Sequence, residues 1–375
     1  MVVFDPIQAR HHLHRTPELS NREYQTSAYV ERALRSMGVT IVDAGLETGV
    51  IGEITGGSGP TVALRADLDG LPVTEDASHA LRSQTQGVMH ACGHDLHIAS
   101  LLGAAAQLSE RASELPGSVR LVFQPAEETG HGSDVILSSG VLDDVAAVIG
   151  FHNNPNYAPG SVAVGEAMMA GCVRFEVNLR AQGTHGGYPE KGTGPIEALA
   201  TIVSALQTIV SRNVSAFDSA VLSVTEVHGG DVWNVIPASA GFSGTVRTFS
   251  QATEDRVENR FRALVESLAA GFGLGVDITW ERLARPLINN PELLHVLLPQ
   301  VATVAHVADL QPSMAGEDFA DYRAKAPLFF AFVGSNGQPG AADWHSPQYV
   351  GLDATIPTAI SFYTHSAVAA LRNFA

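Results

Sequence analysis

The hydrophobic pattern along the chain predicts buried strands alternating with helices. "TVALRAD" (61–67), "SVRLVFQPAEE" (118–128) and "AAVIGFHN" (146–153) are short, nearly continuous apolar runs, as strands covered on both faces require. The segment from His94 to Arg111, "HDLHIASLLGAAAQLSER", reads as a helix between the first two. Two helices open the chain. Asp5-Pro6 offers an N-cap with proline at the first helical position, Ser20 with Glu23 forms a capping box, and Gly38 closes the second helix. Buried strands separated by helices imply an α/β layer with a largely parallel sheet.

From Gly171 the period changes. "CVRFEVNLRA" alternates apolar and polar residues, and "PIEALATIVSALQTIVS" (195–211) places Ile196, Leu199, Val203, Leu206 and Val210 on one helical face. "AVLSVTEVHG" and "AGFSGTVRTF" follow as strands. A helix carrying Val257, Phe261, Leu264 and Leu268 comes next, then "GVDITWERL". Strand, helix, strand, strand, helix, strand is the split βαβ, ferredoxin-like order. It predicts a domain over 171–285 inserted into an α/β domain made of 1–170 and 286–375, where "PLFFAFVG" (327–334) is a further strand. The glycines of "GTHGGYPEKGTG" match neither dinucleotide nor P-loop spacing.

Composition narrows the class. A chain of 375 residues is long enough for two domains, and 45% hydrophobic with 16% charged residues excludes a disordered protein. A formal charge of −17 lacks the basic footprint of a nucleic-acid binder, and leaves few cations for an anionic substrate. Cys92 and Cys172 are too few for a disulfide scaffold. The opening stretch has no basic segment followed by an apolar core, and no run suits a membrane span, so a soluble cytoplasmic protein is expected. The Asn213-Val-Ser215 pattern is then a chance match.

The three apolar runs end in Asp67, Glu127-Glu128 and His152, at the carboxyl edge where open α/β sheets bind ligands. "HACGHDLH" (90–97) adds Cys92 and His94, which diverge on a helix but converge in a loop just before one. Thiolate, imidazole and carboxylate together suit zinc, or manganese where oxygen dominates. By itself the stretch fits a polar helix start equally well. Glu127 and Glu128 on an extended segment would point apart, one toward a metal and one toward substrate as a base. His152, on an apolar run, and His345, in "DWHSPQY", are undecided when each is taken alone.

Eight blocks, "LRADLDGLPV", "HACGHD", "QPAEE", "GFHN", "NVIP", "GTVRTF", "GEDF" and "WHSP", occur in order. Together they resemble the amidohydrolase branch of the metallopeptidases that includes aminoacylases and glutamate carboxypeptidases. Hippurate hydrolases, auxin–amino-acid conjugate hydrolases and N-acetyldiaminopimelate deacetylases belong to that branch. The resemblance covers nearly the whole chain from "LHRTPE" onward. It implies a zinc-peptidase-like α/β catalytic domain with an inserted ferredoxin-like α+β lid or dimerisation domain. It also implies two divalent ions, Zn2+ or Mn2+, held by Cys92, His94, Glu128, His152 and His345, with Cys92 near both. Glu127 would be the general base in hydrolysis of the amide bond of N-acyl-amino acids. His185, in "AQGTHGG", would reach the site of a partner subunit in a homodimer or larger homo-oligomer, and steady the oxyanion. Asp67 would orient a ligand rather than bind metal. A free amino acid product means a substrate carboxylate, for which Arg247 offers a forked pair of hydrogen bonds, with Asn234 assisting. The alternatives are a dedicated N-acetyldiaminopimelate deacetylase, or a homologue that binds acylated metabolites without cleaving them. The complete ligand set and Glu127 argue against the latter.

Where relatives often have tyrosine-proline-histidine, this chain has Tyr188-Pro189-Glu190, and where they often have aspartate-proline it has Gly194-Pro195. Neither departure touches a candidate ligand. A negative charge at Glu190 facing the substrate favours a neutral or cationic distal group. Glu190→His is therefore expected to broaden acceptance of acidic substrates, and an unchanged substrate profile would refute this.

Overall fold

The computed structural model describes residues 4–375, which fall into two compact units. One runs to Met168 and takes up Asn289–Gln311 and Asp318–Ala375; the other is Met169–Ile288 with Pro312–Glu317. The pattern of the sequence assigned that last segment to the α/β domain. It groups with the second unit because Ala170 N donates to Ser313 O (2.9 Å) and Arg247 Nη1 to Met314 O (3.4 Å).

The first unit is built on an eight-stranded sheet. Its centre is Thr61–Asp67, with Ser118–Gln124 and Val145–Asn154 parallel on either side, and Leu328–Gly334 parallel beyond the latter. Antiparallel strands finish both margins: Val50–Ile54 and Thr40–Val42 on one, Ser161–Ala163 on the other, where His306–Ala308 pairs parallel to Ser161–Ala163. Helices His94–Glu110 and Ile356–Phe374 pack on the central strand, which is why Val62, Ala63 and Leu64 are apolar in succession and fully buried.

The opening helix is Pro6–Arg15, and Asp5 caps it by accepting from Ile7 N and Gln8 N. Gly38, at φ +78°, ends the next helix, Tyr24–Ser36. The expected capping box is not formed. Ser20 Oγ donates to Asp69 Oδ2 (2.6 Å), and the buried Glu23 carboxylate accepts from Asn21 N and Ala126 N. Partners distant in sequence took both side chains from the local cap.

The second unit carries a four-stranded antiparallel sheet in the order Ala220–Gly229, Ser239–Thr248, Gly171–Arg180, Gly275–Ala284. This is the ferredoxin-like arrangement, and its core joins Phe175, Phe242 and Phe261 to the helices. The first helical stretch breaks at Gln207 into Pro195–Leu206 and Thr208–Asn213. Its buried stripe is Ala198, Leu199, Ile202, Leu206 and Ile209. Ile196 is 41% exposed and lies over Gly229, so the expected face is rotated, with Val203 and Val210 at its margin.

In the first unit, Arg10 and His14, one turn apart, both reach Asp95 in the first turn of His94–Glu110. Arg10 Nε and His14 Nδ1 lie 2.9 and 3.0 Å from Asp95 Oδ2. Arg10 continues to Gly351 O and Asp353, and His14 Nε2 lies 3.0 Å from Glu75 Oε1. Burial alone would lower the pKa of His14, but Asp95 and Glu75 raise it from 6.5 to about 9. The folded pKa exceeds the unfolded one, so the linked stability is full below pH 6.5 and disappears as pH rises through about 9. It amounts to at most about 3 kcal/mol. The melting-temperature gap between parent and His14→Gln should be widest near pH 6 and should narrow steadily up to about pH 9.5. A constant gap would show that the charge of His14 contributes nothing.

Candidate metal centre

Asp67 closes its strand, and His152 lies two residues before the end of the neighbouring one. Cys92 and His94 flank Gly93, the residue before the helix, whose φ is +80°. A Cβ at Gly93 would fall 2.4 Å from Asn153 Nδ2, so only glycine allows this turn. Ligand atoms of Cys92, His94 and His152 lie within 4.8 Å of one another, and so do those of Cys92, Glu128 and His345, and those of His94, Glu127 and Glu128. Cys92 Sγ is 3.4 Å from His152 Nε2. The structure thus brings together all five ligands that the resemblance named, with Glu127 beside them.

The glutamate pair is not on an extended segment, as the sequence had suggested. Ala126 turns left-handed at φ +56°, and Glu127–Thr129 form a 3-10 turn. Consequently both side chains face the same way: Glu127 Oε2 and Glu128 Oε1 are each 3.9 Å from His94 Nε2. Two acids that sequence reasoning missed hold this turn. Asp69 accepts from Glu127 N (3.2 Å) and Glu128 N (3.0 Å), and Glu23 accepts from Ala126 N (2.8 Å). The acid at 69, two positions after Asp67, was the available signal. His97 was also missed; its Nδ1 lies 2.6 Å from Asp67 Oδ1, and its place three residues after His94 was the clue.

Two histidines have their tautomers fixed by the backbone. His94 Nδ1 donates to Asp69 O (2.9 Å) and His152 Nδ1 to Asn153 O (2.7 Å), so each offers Nε2 to the cluster. His94 Nε2 and Glu128 Oε1 are buried without a hydrogen-bond partner. They lie 3.9 Å apart, too far for a hydrogen bond, and a cation between them would partner both. Burial pushes the Cys92 thiol well up, and the charges of Glu128, Glu127 and Asp67 push it further, so a thiolate here requires added positive charge. Burial alone would lower the pKa of His94, but Asp67, Asp69 and Glu128 carry it up to about 10. Asp67 is held well below the usual carboxylate range: burial opposes its ionisation, but the charges of His94, His97 and Arg65 prevail. The donor set therefore fits divalent cations. His345 enters from a left-handed residue (φ +63°) pinned by its N–H to Ala91 O (2.9 Å), and its Nε2 is 3.4 Å from Glu128 Oε2.

The remaining candidates belong to the second unit. His185 is exposed on the short strand Thr184–His185, paired with Val235–Ile236, and Asn234 O accepts from Gly186 N (2.8 Å). Gly187 N donates to His185 Nδ1 (3.0 Å), which leaves the proton of the neutral ring on Nε2. Arg247 stands in Ser239–Thr248 opposite Cys172 and Val221.

Residues 63–369 match peptidase family M20/M25/M40. The chain is 42% identical over 366 residues to N-acetyl-L-cysteine deacetylase of Bacillus subtilis (strain 168), spanning 96% of this chain and 86% of that protein. It is 35% identical over 368 residues to IAA-amino acid hydrolase ILR1-like 4 of Arabidopsis thaliana, spanning 96% and 84%. The crystal structure of the Bacillus subtilis YXEP protein, a dinuclear metal binding peptidase from the M20 family, superposes with a TM-score of 0.88 at 37% identity, covering 98% of both chains.

Removing the Asp69 carboxylate leaves the amides of both glutamates without an acceptor. Asp69→Ala should destabilise the protein by about 3–6 kcal/mol, read from urea unfolding, since it removes two charge-assisted bonds worth roughly 1.5–3 kcal/mol each. A loss under about 0.5 kcal/mol would mean that the turn holds itself.

Proposed function

We propose that this chain, which belongs to peptidase family M20/M25/M40, is an amidohydrolase of N-acyl-amino acids, and that Glu127 carries the proton of that reaction beside two divalent ions held by Cys92, His94, Glu128, His152 and His345. The observation behind this reading is the buried, unpartnered pair of His94 Nε2 and Glu128 Oε1 next to the Cys92 thiol. Bound there, the ions would supply the positive charge that acidifies a water and makes an amide carbonyl electrophilic.

The chain's own groups do the rest. The Glu127 carboxylate, at the partly open rim of the cluster, takes the proton of the water and returns it to the departing amine nitrogen. His94 and His152 present Nε2 because Nδ1 is occupied in each. Asp67, bonded to His97 and Arg65, keeps a fixed negative charge 3.7 Å from His94 Nε2 and so orients that ring. Cysteine and two imidazoles favour zinc, and the carboxylates beside them admit manganese.

His185, with its proton on Nε2, is suited to steady the oxyanion, and the Arg247 guanidinium to fork onto the substrate carboxylate with Asn234 assisting. We assign His185 to the site of a second copy, in a homodimer formed through the second unit. Support comes from the neighbouring Trp233 and Val235, apolar side chains 95% and 50% exposed. Two free, buried cysteines fit a cytoplasmic setting. Among substrates, N-acetylated amino acids come first, N-acetyl-L-cysteine included, because a relative at 42% identity bears that name.

The test is amine release from N-acetyl-L-cysteine, N-acetyldiaminopimelate and a panel of N-acetyl-, N-benzoyl- and N-indoleacetyl-amino acids. Metal-stripped protein should be inactive, and zinc or manganese should restore turnover. Glu127→Gln should lower kcat by about 10²–10⁴ while metal content stays that of the parent. Turnover without metal, or a Glu127→Gln variant as active as the parent, would refute the assignment.

A further inference from the structure

Asn153, the residue after His152, is fully buried and uses every polar atom it has. Its amide Nδ2 donates to the Cys92 carbonyl (2.6 Å) and lies 3.1 Å from His97 Nε2. Its backbone N–H donates to the same His97 nitrogen at 2.9 Å, so the proton of the neutral His97 ring sits on Nδ1, toward Asp67. The backbone carbonyl of Asn153 accepts from His152 Nδ1 (2.7 Å) and from Trp344 Nε1 (3.1 Å), the residue before His345. Its side-chain oxygen accepts from Ser335 Oγ (3.0 Å) and from the Tyr349 hydroxyl.

Cys92 and His97 share one stretch, His152 precedes Asn153 and Trp344 lies far along the chain, and this one side chain and its peptide meet all four. The amide does not reach any candidate ligand atom. It fixes the peptide that joins Cys92 to Gly93, and Gly93 in turn has no room for a Cβ because Asn153 Nδ2 and Tyr349 OH would both lie 2.4 Å from it. Ser335 and Tyr349 hold the opposite end, and a flipped amide would set its oxygen against the buried Cys92 carbonyl, leaving both acceptors without a donor.

We propose that Asn153 is a positioning residue: its amide sets the Cys92–Gly93–His94 turn and so the place of the Cys92 thiolate relative to His152 Nε2. This rests on the metal reading above. Asn153→Asp is nearly isosteric but puts an oxygen against the Cys92 carbonyl in place of a donor, which pushes the turn away. Cysteine position is read directly with cobalt(II), whose thiolate charge-transfer band in the near ultraviolet reports the sulfur–metal bond.

In the whole protein, stripped of metal and titrated with cobalt(II), the parent should develop this band. Asn153→Asp should fold, by circular dichroism and cooperative unfolding, yet bind cobalt at least tenfold more weakly with the band weakened or shifted. In zinc-loaded protein its loss should fall on kcat more than on KM. The double variant Ser335→Ala/Tyr349→Phe leaves Asn153 in place but frees its oxygen end, and should weaken cobalt binding at least threefold. It decides the matter if Asn153→Asp does not fold. Variants that match the parent's band and affinity within twofold overturn the positioning role. A parent with no charge-transfer band overturns the metal reading itself, and the positioning role with it.

Discussion

Buried negative charge at the carboxyl edge of the eight-stranded sheet sets the terms for the rest of the first unit. Asp67, Asp69 and the Cys92 thiol are within a few ångströms of buried His94, with Glu127 and Glu128 at its rim. Leaving such groups ionised in a low dielectric costs several kcal/mol each unless they are compensated. Part of the compensation is internal. Arg65, itself buried, bonds Asp67 and Asp318 at 2.7 and 2.9 Å, and the helix His94–Glu110 points its positive end at the cluster. These do not reach His94 Nε2 or Glu128 Oε1, and that remainder is what a divalent ion is suited to balance.

Holding repelling groups together also explains where the backbone departs from ordinary conformations. Among the described residues, the non-glycine positions with positive φ are Asn21, Ala126 and His345. Ala126 carries the glutamate pair into its turn, and His345 is itself a candidate ligand. Asn21 shares the Glu23 carboxylate with Ala126. Strain of this kind persists only where surrounding contacts over-determine it. Here those contacts are Glu23 and Asp69 on one side and the Ala91 carbonyl on the other.

The strands and helices could be read from the sequence because burial on both faces writes continuous apolar runs, and half-burial writes alternation. The ferredoxin-like order of the second unit followed from element order alone. Candidate ligands stood at strand ends, but Cys92, His152 and His345 acquired roles only from the resemblance, since each alone fits an ordinary core or turn position. What could not be read depends on partners far apart in the chain. Ser20 and Glu23 look like a local cap, yet bond to Asp69 and Ala126. Glu127-Glu128 look extended, yet Ala126 bends the chain because Glu23, 103 positions away, takes its N–H. Nothing near Asn153 announces Tyr349, 196 residues later. Pro312–Glu317 likewise carries no local mark of the unit it joins.

The same charge economy bears on substrate recognition. An N-acyl-amino acid is an anion, and the protein bears −17. The two arginines buried among the described residues are both committed: Arg10 to Asp95, Asp353 and Gly351 O, Arg65 to Asp67, Gln124 and Asp318. Releasing either onto a substrate would expose a buried acid and cost more than the new bond returns. A cation without such duties is the better candidate for the carboxylate, which is why Arg247 was proposed for it. Arg247 is half-buried, stands opposite Cys172 and, among the described residues, donates to a carbonyl, Met314 O, at 3.4 Å. A guanidinium meets a planar anion with two parallel donors, and that match is the chemistry the proposed role of Arg247 would use.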